Sequence, residues 1–449
     1  MNSTDHEATG LGNYFVANYP PFSFWKPEYL SAGYEALDQA PAANTPLGLY
    51  LHIPFCRKRC KFCYFRVYTD KNADQVATYT DALLREVELY SRKPAVEGRP
   101  LEFVYFGGGT PSYLSATQLG RLMTRLQKIM PYESAREVTF ECEPGTLQLH
   151  KLQALKELGV TRLSLGIENF SDAILEANGR AHLSAEIHRS YGWSRDCGFE
   201  QINIDLIAGM LGETWDNWRD VIRKTIELAP ESVTIYQMEL PFNTVFSKEL
   251  RDQGGKRQEL NVIQPSFEVA DWPTKRAWVA YGFEELAAAG YQRSSAYTMT
   301  RGDAQPKPEF VYRDSLWHGA DMLGTGVASF GHVHGVHLQN HDQWADYLRS
   351  LLEENELPLH RALPVTRRQL LIREMILQLK TGRLDADYFR RKFDSDIQRD
   401  FAAGWKSLRT KGLIEADDGE IRLTDEGFLQ VDRHLPVFFE PEHVGARYT

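Results

Sequence analysis

The chain has 449 residues, 43% hydrophobic and 25% charged, an ordinary globular composition with ample material for a large core. Its net charge of −10, from 61 acidic against 51 basic residues, argues against broad nucleic-acid binding, which needs a basic face to displace counterions. No apolar run approaches membrane-spanning length, and the polar, acid-containing stretch 1–11 lacks the basic-then-apolar order of a secretory signal, so a cytoplasmic protein without a transmembrane segment is expected.

Residues 1–46 show no periodicity and are rich in aromatics and proline, as in Tyr19-Pro20-Pro21-Phe22; they predict an extended arm. From residue 47 a rhythm begins. Apolar or β-branched runs at Leu47–Ile53, Glu102–Phe106, Glu137–Glu141, Arg162–Ile167, Gln201–Ile207 and Ser232–Met238 alternate with helical spacing at Val76–Tyr90, Ala116–Ile129, Leu149–Leu158, Ala185–Asp196 and Trp215–Leu228. Strand alternating with helix predicts an α/β fold with a parallel sheet and outer helices. Six such units over 47–244 suit a partial (β/α)6 TIM-like barrel, whose functional groups sit at the C-terminal strand ends. Residues 245–363 read as a mixed α/β extension on the substrate side, with a glycine patch at Gly324-Thr325-Gly326-Val327-Ala328. Residues 364–449 predict amphipathic helices over Arg367–Leu379 and Ile397–Leu408, with Ala386–Phe393 between them. A hairpin turning at Asp417-Asp418-Gly419 follows. That order describes a winged-helix-like domain, and the acidic stretch Ala416–Glu420 favours a structural or interaction role over DNA binding.

Three of the five cysteines fall within eight residues, in His52-Ile53-Pro54-Phe55-Cys56-Arg57-Lys58-Arg59-Cys60-Lys61-Phe62-Cys63. In a long cytosolic chain such a group reads as metal binding rather than a disulfide frame. Three thiolates from one short loop suit an iron–sulfur cluster, and in a four-iron cluster they leave one iron open to a small molecule. Arg57, Lys58, Arg59 and Lys61 should favour thiolate formation and offset cluster charge. The other reading is zinc, which wants four ligands, often as two separated pairs. Cys142 and Cys197 are isolated, and His52, the nearest fourth donor, precedes the loop on the strand.

The C-x3-C-x2-C loop after a first strand, with Phe62 before the last cysteine, resembles the radical S-adenosylmethionine (SAM) superfamily. The string Tyr50-Leu51-His52-Ile53-Pro54-Phe55-Cys56 is more specific and resembles the oxygen-independent coproporphyrinogen III oxidases and their paralogues, from about residue 47 into the C-terminal module. The resemblance implies a [4Fe-4S] cluster on Cys56, Cys60 and Cys63. It further implies SAM on the open iron, cleaved to a 5′-deoxyadenosyl radical that abstracts hydrogen from a small-molecule substrate, with a donor such as flavodoxin or ferredoxin. One SAM is required, and two in relatives that also transfer a methyl group.

The same resemblance carries roles onto four further motifs. Gly107-Gly108-Gly109-Thr110 ends the second strand, where glycines let backbone groups approach a ligand; it would hold the SAM amino group. Glu141 closes the third strand as a SAM contact, with Cys142 turned to the opposite, core face. Glu168 stands where the family usually has glutamine at the ribose, and Arg180 matches the arginine for the SAM carboxylate. Asp205 lies in Asn203-Ile204-Asp205-Leu206-Ile207-Ala208-Gly209, and a carboxylate in an apolar strand is costly unless paired or bound. Tyr50 and Phe62 join this set.

Departures bear on which relative this is. Coproporphyrinogen oxidases carry a fourth cysteine where this chain has Phe65, and a Met-Asp-His-Phe-type stretch where it has Tyr291-Gln292-Arg293-Ser294-Ser295-Ala296-Tyr297. Heme chaperones carry His-Asn-x-x-Tyr-Trp where it has Tyr312-Arg313-Asp314-Ser315-Leu316-Trp317. His332, His334 and His337 offer substrate protonation or axial heme ligation, against a plain reading as solvated loop residues. Three functions are therefore expected in turn: a radical SAM enzyme acting on a tetrapyrrole or other apolar polycycle by methyl transfer or a related reaction, a coproporphyrinogen III dehydrogenase, or a non-catalytic heme chaperone.

Overall fold

The computed structural model describes residues 15–239, 244–246, 269–417 and 420–446. Its main sheet is built on the expected alternation. Strands β1 (Leu47–Ile53), β2 (Leu101–Gly108), β3 (Glu137–Cys142), β4 (Arg162–Glu168), β5 (Gln201–Ala208) and β6 (Ser232–Gln237) pair in sequence order, all parallel. Helices Ala73–Ser91, Ala116–Ile129, Leu149–Glu157, Ser184–Asp196 and Trp215–Leu228 connect them. The first two open on capping boxes, Asn72 with Gln75 and Ser115 with Gln118, which satisfy otherwise orphaned backbone donors. Outward-facing strand residues such as Leu49, Leu51, Val104, Phe106, Leu163 and Ile204 are fully buried against these helices.

The later chain extends this sheet at both edges. The antiparallel pair β7 (Tyr291–Arg293) and β8 (Thr298–Arg301) adds outside β6. On the other side, β9 (Asp321–Thr325) runs parallel to β1, followed by the antiparallel β10 (Phe330–Val333), β11 (Val336–Asn340) and β12 (Leu359–Pro364). The result is one 12-stranded sheet, ordered β12-β11-β10-β9-β1-β2-β3-β4-β5-β6-β8-β7. It curls as a barrel that does not close, since β6 and β9 pair with β8 and β10 rather than with each other.

The inner face of the curl is polar, and one short helix fills its N-terminal end. Glu137, 3% exposed, accepts the Val311 and Tyr312 N–H groups at 3.0 and 3.3 Å, at the start of helix Val311–Trp317. Tyr312 then lies inside the sheet, its ring 4.4 Å from that of Tyr105. The glycine patch after β9 is pinned beside β1. Buried Glu86 accepts the Gly326 N–H at 2.8 Å, and Tyr79 donates to the His52 carbonyl at 2.8 Å while accepting the Val327 N–H at 3.1 Å.

The C-terminal region follows the expected order with two differences. Helix Arg367–Leu379 is as predicted, but the stretch from Ile397 forms two helices, Ile397–Asp400 and Ala402–Thr410, broken at Phe401. The hairpin of β14 (Ile414–Asp417) and β15 (Glu420–Leu423) gains a third strand, β13 (Arg383–Asp385). Within this region lies a wholly buried ion pair, Lys380 Nζ to Asp432 Oδ1 at 2.6 Å, whose further hydrogen bonds tie it to the rest. Lys380 also donates to the Val16 carbonyl at 2.7 Å, and Asp432 accepts the Val16 N–H and the Tyr297 hydroxyl. Among the described residues no helix is long and apolar enough to cross a membrane.

Candidate functional site at the strand ends

The C-terminal ends of β1–β5 deliver every residue singled out in the motifs to one place. The cysteine loop leaves β1 and is held by its own backbone. The Cys56 N–H donates to the Tyr68 carbonyl at 3.0 Å, Cys63 to Cys60 at 3.2 Å, and Lys61 to Asn178 at 3.1 Å. Thr110 Oγ1 lies 3.3 Å from Cys56 Sγ, and Arg180 Nη1 lies 3.3 Å from Cys60 Sγ. Burial, followed by the influence of the neighbouring thiols, pushes Cys56 up to about 12 and Cys63 to about 11. A bound metal would offset that rise by taking the thiolate charge.

Two sequence expectations change here. The loop's basic residues do not face the sulfurs as a group. Arg57 turns away to Glu143 at 3.0 Å, and Arg59 Nη2 donates to the Cys63 carbonyl at 3.2 Å. The cation placed on a sulfur is Arg180, from a distant loop. The zinc reading also weakens. A zinc site wants a fourth ligand, and Cys142 is buried in the core while Cys197 follows a helix. His52 does not offer a fourth ligand, since its Nδ1 is 3.3 Å from the Tyr50 hydroxyl and its Nε2 is 3.5 Å from the Arg66 carbonyl.

The glycine triplet serves packing as well as ligand approach. Gly108 has φ of 110°, and a Cβ there would lie 2.3 Å from the His52 ring; one at Gly109 would lie 2.8 Å from the Ile53 carbonyl. The ends of β1 and β2 therefore meet closely only because these residues lack side chains. Glu141 accepts the Tyr105 hydroxyl at 2.7 Å and the Gly108 N–H at 3.0 Å. Gly107 is pressed against both Tyr105 and Glu141.

Glu168 follows an irregularity in the β4–β5 register and has φ of 65°, a costly conformation for a side-chain-bearing residue. It lies 3.5 Å from Arg180, whose Nη2 also donates to the Gly166 carbonyl at 2.6 Å. Asp205, opposite Gly166, accepts from Ser164 at 2.7 Å and Asn203 at 2.9 Å. Desolvation, then the repulsion of neighbouring carboxylates, raises Glu141 and Glu168 to about 7; Asp205 is raised by burial against its hydrogen bonds. Arg180 Nε is buried with no acceptor, an unfilled donor beside the cysteines.

Tyr50 lies on the inner face, its ring stacked 5.8 Å from Tyr105. Phe62 packs with Ile174, Ile207, Met210 and Met238 beside the loop. Sequence reasoning missed Tyr105, Tyr236 and Tyr312. Tyr236, next to last in β6, has 42% of its surface open, and Tyr64 beside Cys63 leaves 38% open. The signal available was the two-residue strand period, which puts Tyr236 on the face of Thr234.

The histidines after the glycine patch belong elsewhere. His332 and His337 are neither solvated nor in a loop. They face each other across β10–β11, 5% and 0% exposed, with Nδ1 atoms 2.9 Å apart, and His337 Nε2 is 2.9 Å from the Tyr19 carbonyl. Only His334 occupies the turn. Phe65 is 48% exposed. Cys142 is buried in the core and Cys197 lies after helix Ser184–Asp196. Cys142→Ser and Cys197→Ser are therefore expected to leave iron content unchanged in a colorimetric iron assay, and a loss in either would show a wrong ligand set.

Comparison with known proteins bears on this geometry. Residues 50–225 match the family model of the radical SAM superfamily and residues 365–429 that of the HemN C-terminal domain. The chain is 29% identical over 383 residues to the heme chaperone HemW of Bacillus subtilis, across 85% of this chain and 96% of that protein. It is 28% identical over 431 residues to the oxygen-independent coproporphyrinogen III oxidase of Escherichia coli, across 91% and 89%. The solved structure of the coproporphyrinogen III oxidase HemN from Escherichia coli superposes with a TM-score of 0.79 at 25% identity, over 95% of this chain and 96% of that one.

Proposed function

We propose that the chain, which matches the radical SAM superfamily over residues 50–225 and the HemN C-terminal domain over 365–429, is a radical SAM enzyme in the group of oxygen-independent coproporphyrinogen III oxidases and their relatives. Cys56, Cys60 and Cys63 would hold a [4Fe-4S] cluster, and Glu141, Glu168, Arg180 and Asp205 would bind SAM. The residues fit these groups: three thiols on one loop leave an iron open, and a buried donor, Arg180 Nε, lacks an acceptor. When bound, the reduced cluster supplies the electron that splits SAM into methionine and a 5′-deoxyadenosyl radical competent to abstract hydrogen.

Arg180 orients the SAM carboxylate by charge-assisted hydrogen bonds. Glu141 and the backbone of Gly107–Thr110 receive its ammonium, Glu168 and Asp205 accept ribose hydroxyls, and Tyr50 and Phe62 exclude water. The observation that carries the reading is Arg180, a guanidinium 3.3 Å from a cysteine sulfur with one donor still free.

The substrate is a tetrapyrrole or another apolar polycycle, acted on by methyl transfer from a second SAM or by a related radical reaction. The partly exposed aromatic pairs Tyr64–Phe65 and Tyr236–Tyr297 support an aromatic partner, and Phe65 at the fourth-cysteine position supports a reaction other than oxidative decarboxylation. Flavodoxin or ferredoxin serves as donor, in the cytoplasm. The similarity to HemN over 95% of the chain favours coproporphyrinogen III dehydrogenation as the second reading. The test is anaerobic reconstitution with iron and sulfide, then SAM, a strong reductant and porphyrinogen or polycyclic substrates. 5′-Deoxyadenosine with S-adenosylhomocysteine supports the proposal, and carbon dioxide from coproporphyrinogen supports the second reading. Heme retention without deoxyadenosine from a verified four-iron cluster would move the assignment to a chaperone.

A pH dependence follows from the raised carboxyls. Glu141 and Glu168 shift from 4.5 to about 7 on folding, so the folded apo-protein binds more protons than the unfolded chain between those values, and these groups cost stability as pH rises through that window. A cationic ammonium prefers the carboxylate. SAM affinity measured by equilibrium dialysis is thus expected to fall as pH drops from 8 to 6, about tenfold at most for one group, and Glu141→Gln should flatten the profile.

A further inference from the structure

One buried carboxylate in this region joins the loops that follow β1, β2, β3 and β4. Glu143 follows β3 and is 8% exposed. Its carboxylate accepts Arg57 Nε at 3.2 Å, Arg57 Nη2 at 3.0 Å, His182 Nδ1 at 3.0 Å and the Gly145 N–H at 3.1 Å. Its own N–H donates to Ser112 Oγ at 3.0 Å.

Each partner belongs to a different loop of the site. Arg57 follows Cys56 directly. Ser112 lies two residues beyond Thr110, whose hydroxyl reaches Cys56 Sγ at 3.3 Å. His182 lies two residues beyond Arg180, which reaches Cys60 Sγ at 3.3 Å. Arg57 Nη2 also donates to the Ala181 carbonyl at 2.8 Å, and His182 Nε2 lies 3.3 Å from the carbonyl of Ile167, beside Glu168. Burial alone would raise the Glu143 carboxyl, but the hydrogen bonds and charges of His182 and Arg57 hold it down to about 2.

We infer that Glu143 is a positioning residue: it fixes the cysteine loop, the glycine loop and the Arg180 loop relative to one another, and thereby sets where Arg180 stands against Cys60 and the SAM carboxylate. This rests on the radical SAM reading and adds a residue outside the cofactor contacts. The role depends on chemistry rather than volume. Arg57 and Gly145 bring donors only, and the His182 Nδ1 proton completes a site that wants an acceptor at both oxygens. Glutamine has the same shape but offers one acceptor and turns an NH2 toward those donors. A space-filling residue would tolerate the change; a hub of donors would not.

The test uses the reconstituted full-length protein. Iron per chain, the SAM dissociation constant and the electron paramagnetic resonance spectrum of the reduced cluster with and without SAM are compared for wild type, Glu143→Gln, Arg57→Gln and the double variant. Glu143→Gln is expected to keep near-normal iron and to weaken SAM binding about tenfold, or about 1.4 kcal/mol, with a smaller SAM-induced spectral change. The double variant should be no worse than the more affected single, since both remove one interaction. Wild-type SAM affinity and spectral change in Glu143→Gln would overturn the inference. If that variant does not load iron, Arg57→Gln decides on the same readouts: a comparable loss supports the hub and unchanged affinity overturns it. A wild-type protein that neither assembles a four-iron cluster nor binds SAM would instead sink the radical SAM reading, with no variant needed.

Discussion

Replacing Cys56, Cys60 or Cys63 by alanine is expected to abolish cluster assembly, with iron after anaerobic reconstitution falling below about a tenth of wild type. The reason is the small number of ligands. A four-iron cluster on three protein thiolates already lacks one, and a further loss leaves two irons without protein sulfur. No other described cysteine can substitute: Cys142 faces the core and Cys197 follows a helix on the outside. The fold should survive, because all three ligand cysteines are only partly buried on a surface loop. Far-ultraviolet circular dichroism should therefore be unchanged while the visible absorbance of the cluster disappears. Near-normal iron and absorbance in any of the three variants would refute the ligand assignment.

Arg180→Ala is expected to lower SAM affinity about 100-fold, roughly the 2–3 kcal/mol of a hydrogen-bonded charge on a carboxylate, while iron content stays near wild type. The arginine touches Cys60 through one nitrogen and reaches Glu168 and the Gly166 carbonyl through another. Its removal also strands Glu168, a buried carboxylate already raised to about 7, so Arg180→Ala should be less stable than wild type as pH rises. The double variant Arg180→Ala, Glu168→Gln should regain stability but not SAM affinity. That split separates the electrostatic partner from the ligand contact, and isothermal titration together with thermal melts reads both. Unchanged SAM affinity in Arg180→Ala would show that the role carried over from the family does not hold at this position.

Local pattern made the strands, the main helices, the cysteine loop and the ligand motifs legible. The alternation of period-two and period-3.6 runs depends on residues close in the chain, and so does the spacing of three thiols. Caps such as Asn72 and Ser115 lie within the same reach. The apolar spacing from Ile397 continues through Phe401, where the backbone leaves the helical region at φ of −121° and ψ of 27°, so the pattern reads as one helix and the chain forms two. His332 and His337 were misplaced for a related reason: four residues containing a glycine look like a loop, and only pairing across β10–β11 reveals a buried histidine pair.

What the amino-acid sequence by itself determined was therefore the chemistry on offer: three thiols on one loop, glycines at a strand end, and acids at the ends of β3, β4 and β5. The tertiary structure alone decided which charge meets which atom. Four basic residues lie beside the cysteines in the chain, yet the guanidinium on a sulfur is Arg180, 120 positions from Cys60, and Arg57 is taken by Glu143, 86 positions away. Tyr312 enters the barrel from a helix capped by Glu137, 175 positions earlier. A sequence pattern records the period of neighbouring residues, whereas these partners are chosen by which loops the parallel strands bring to the same edge.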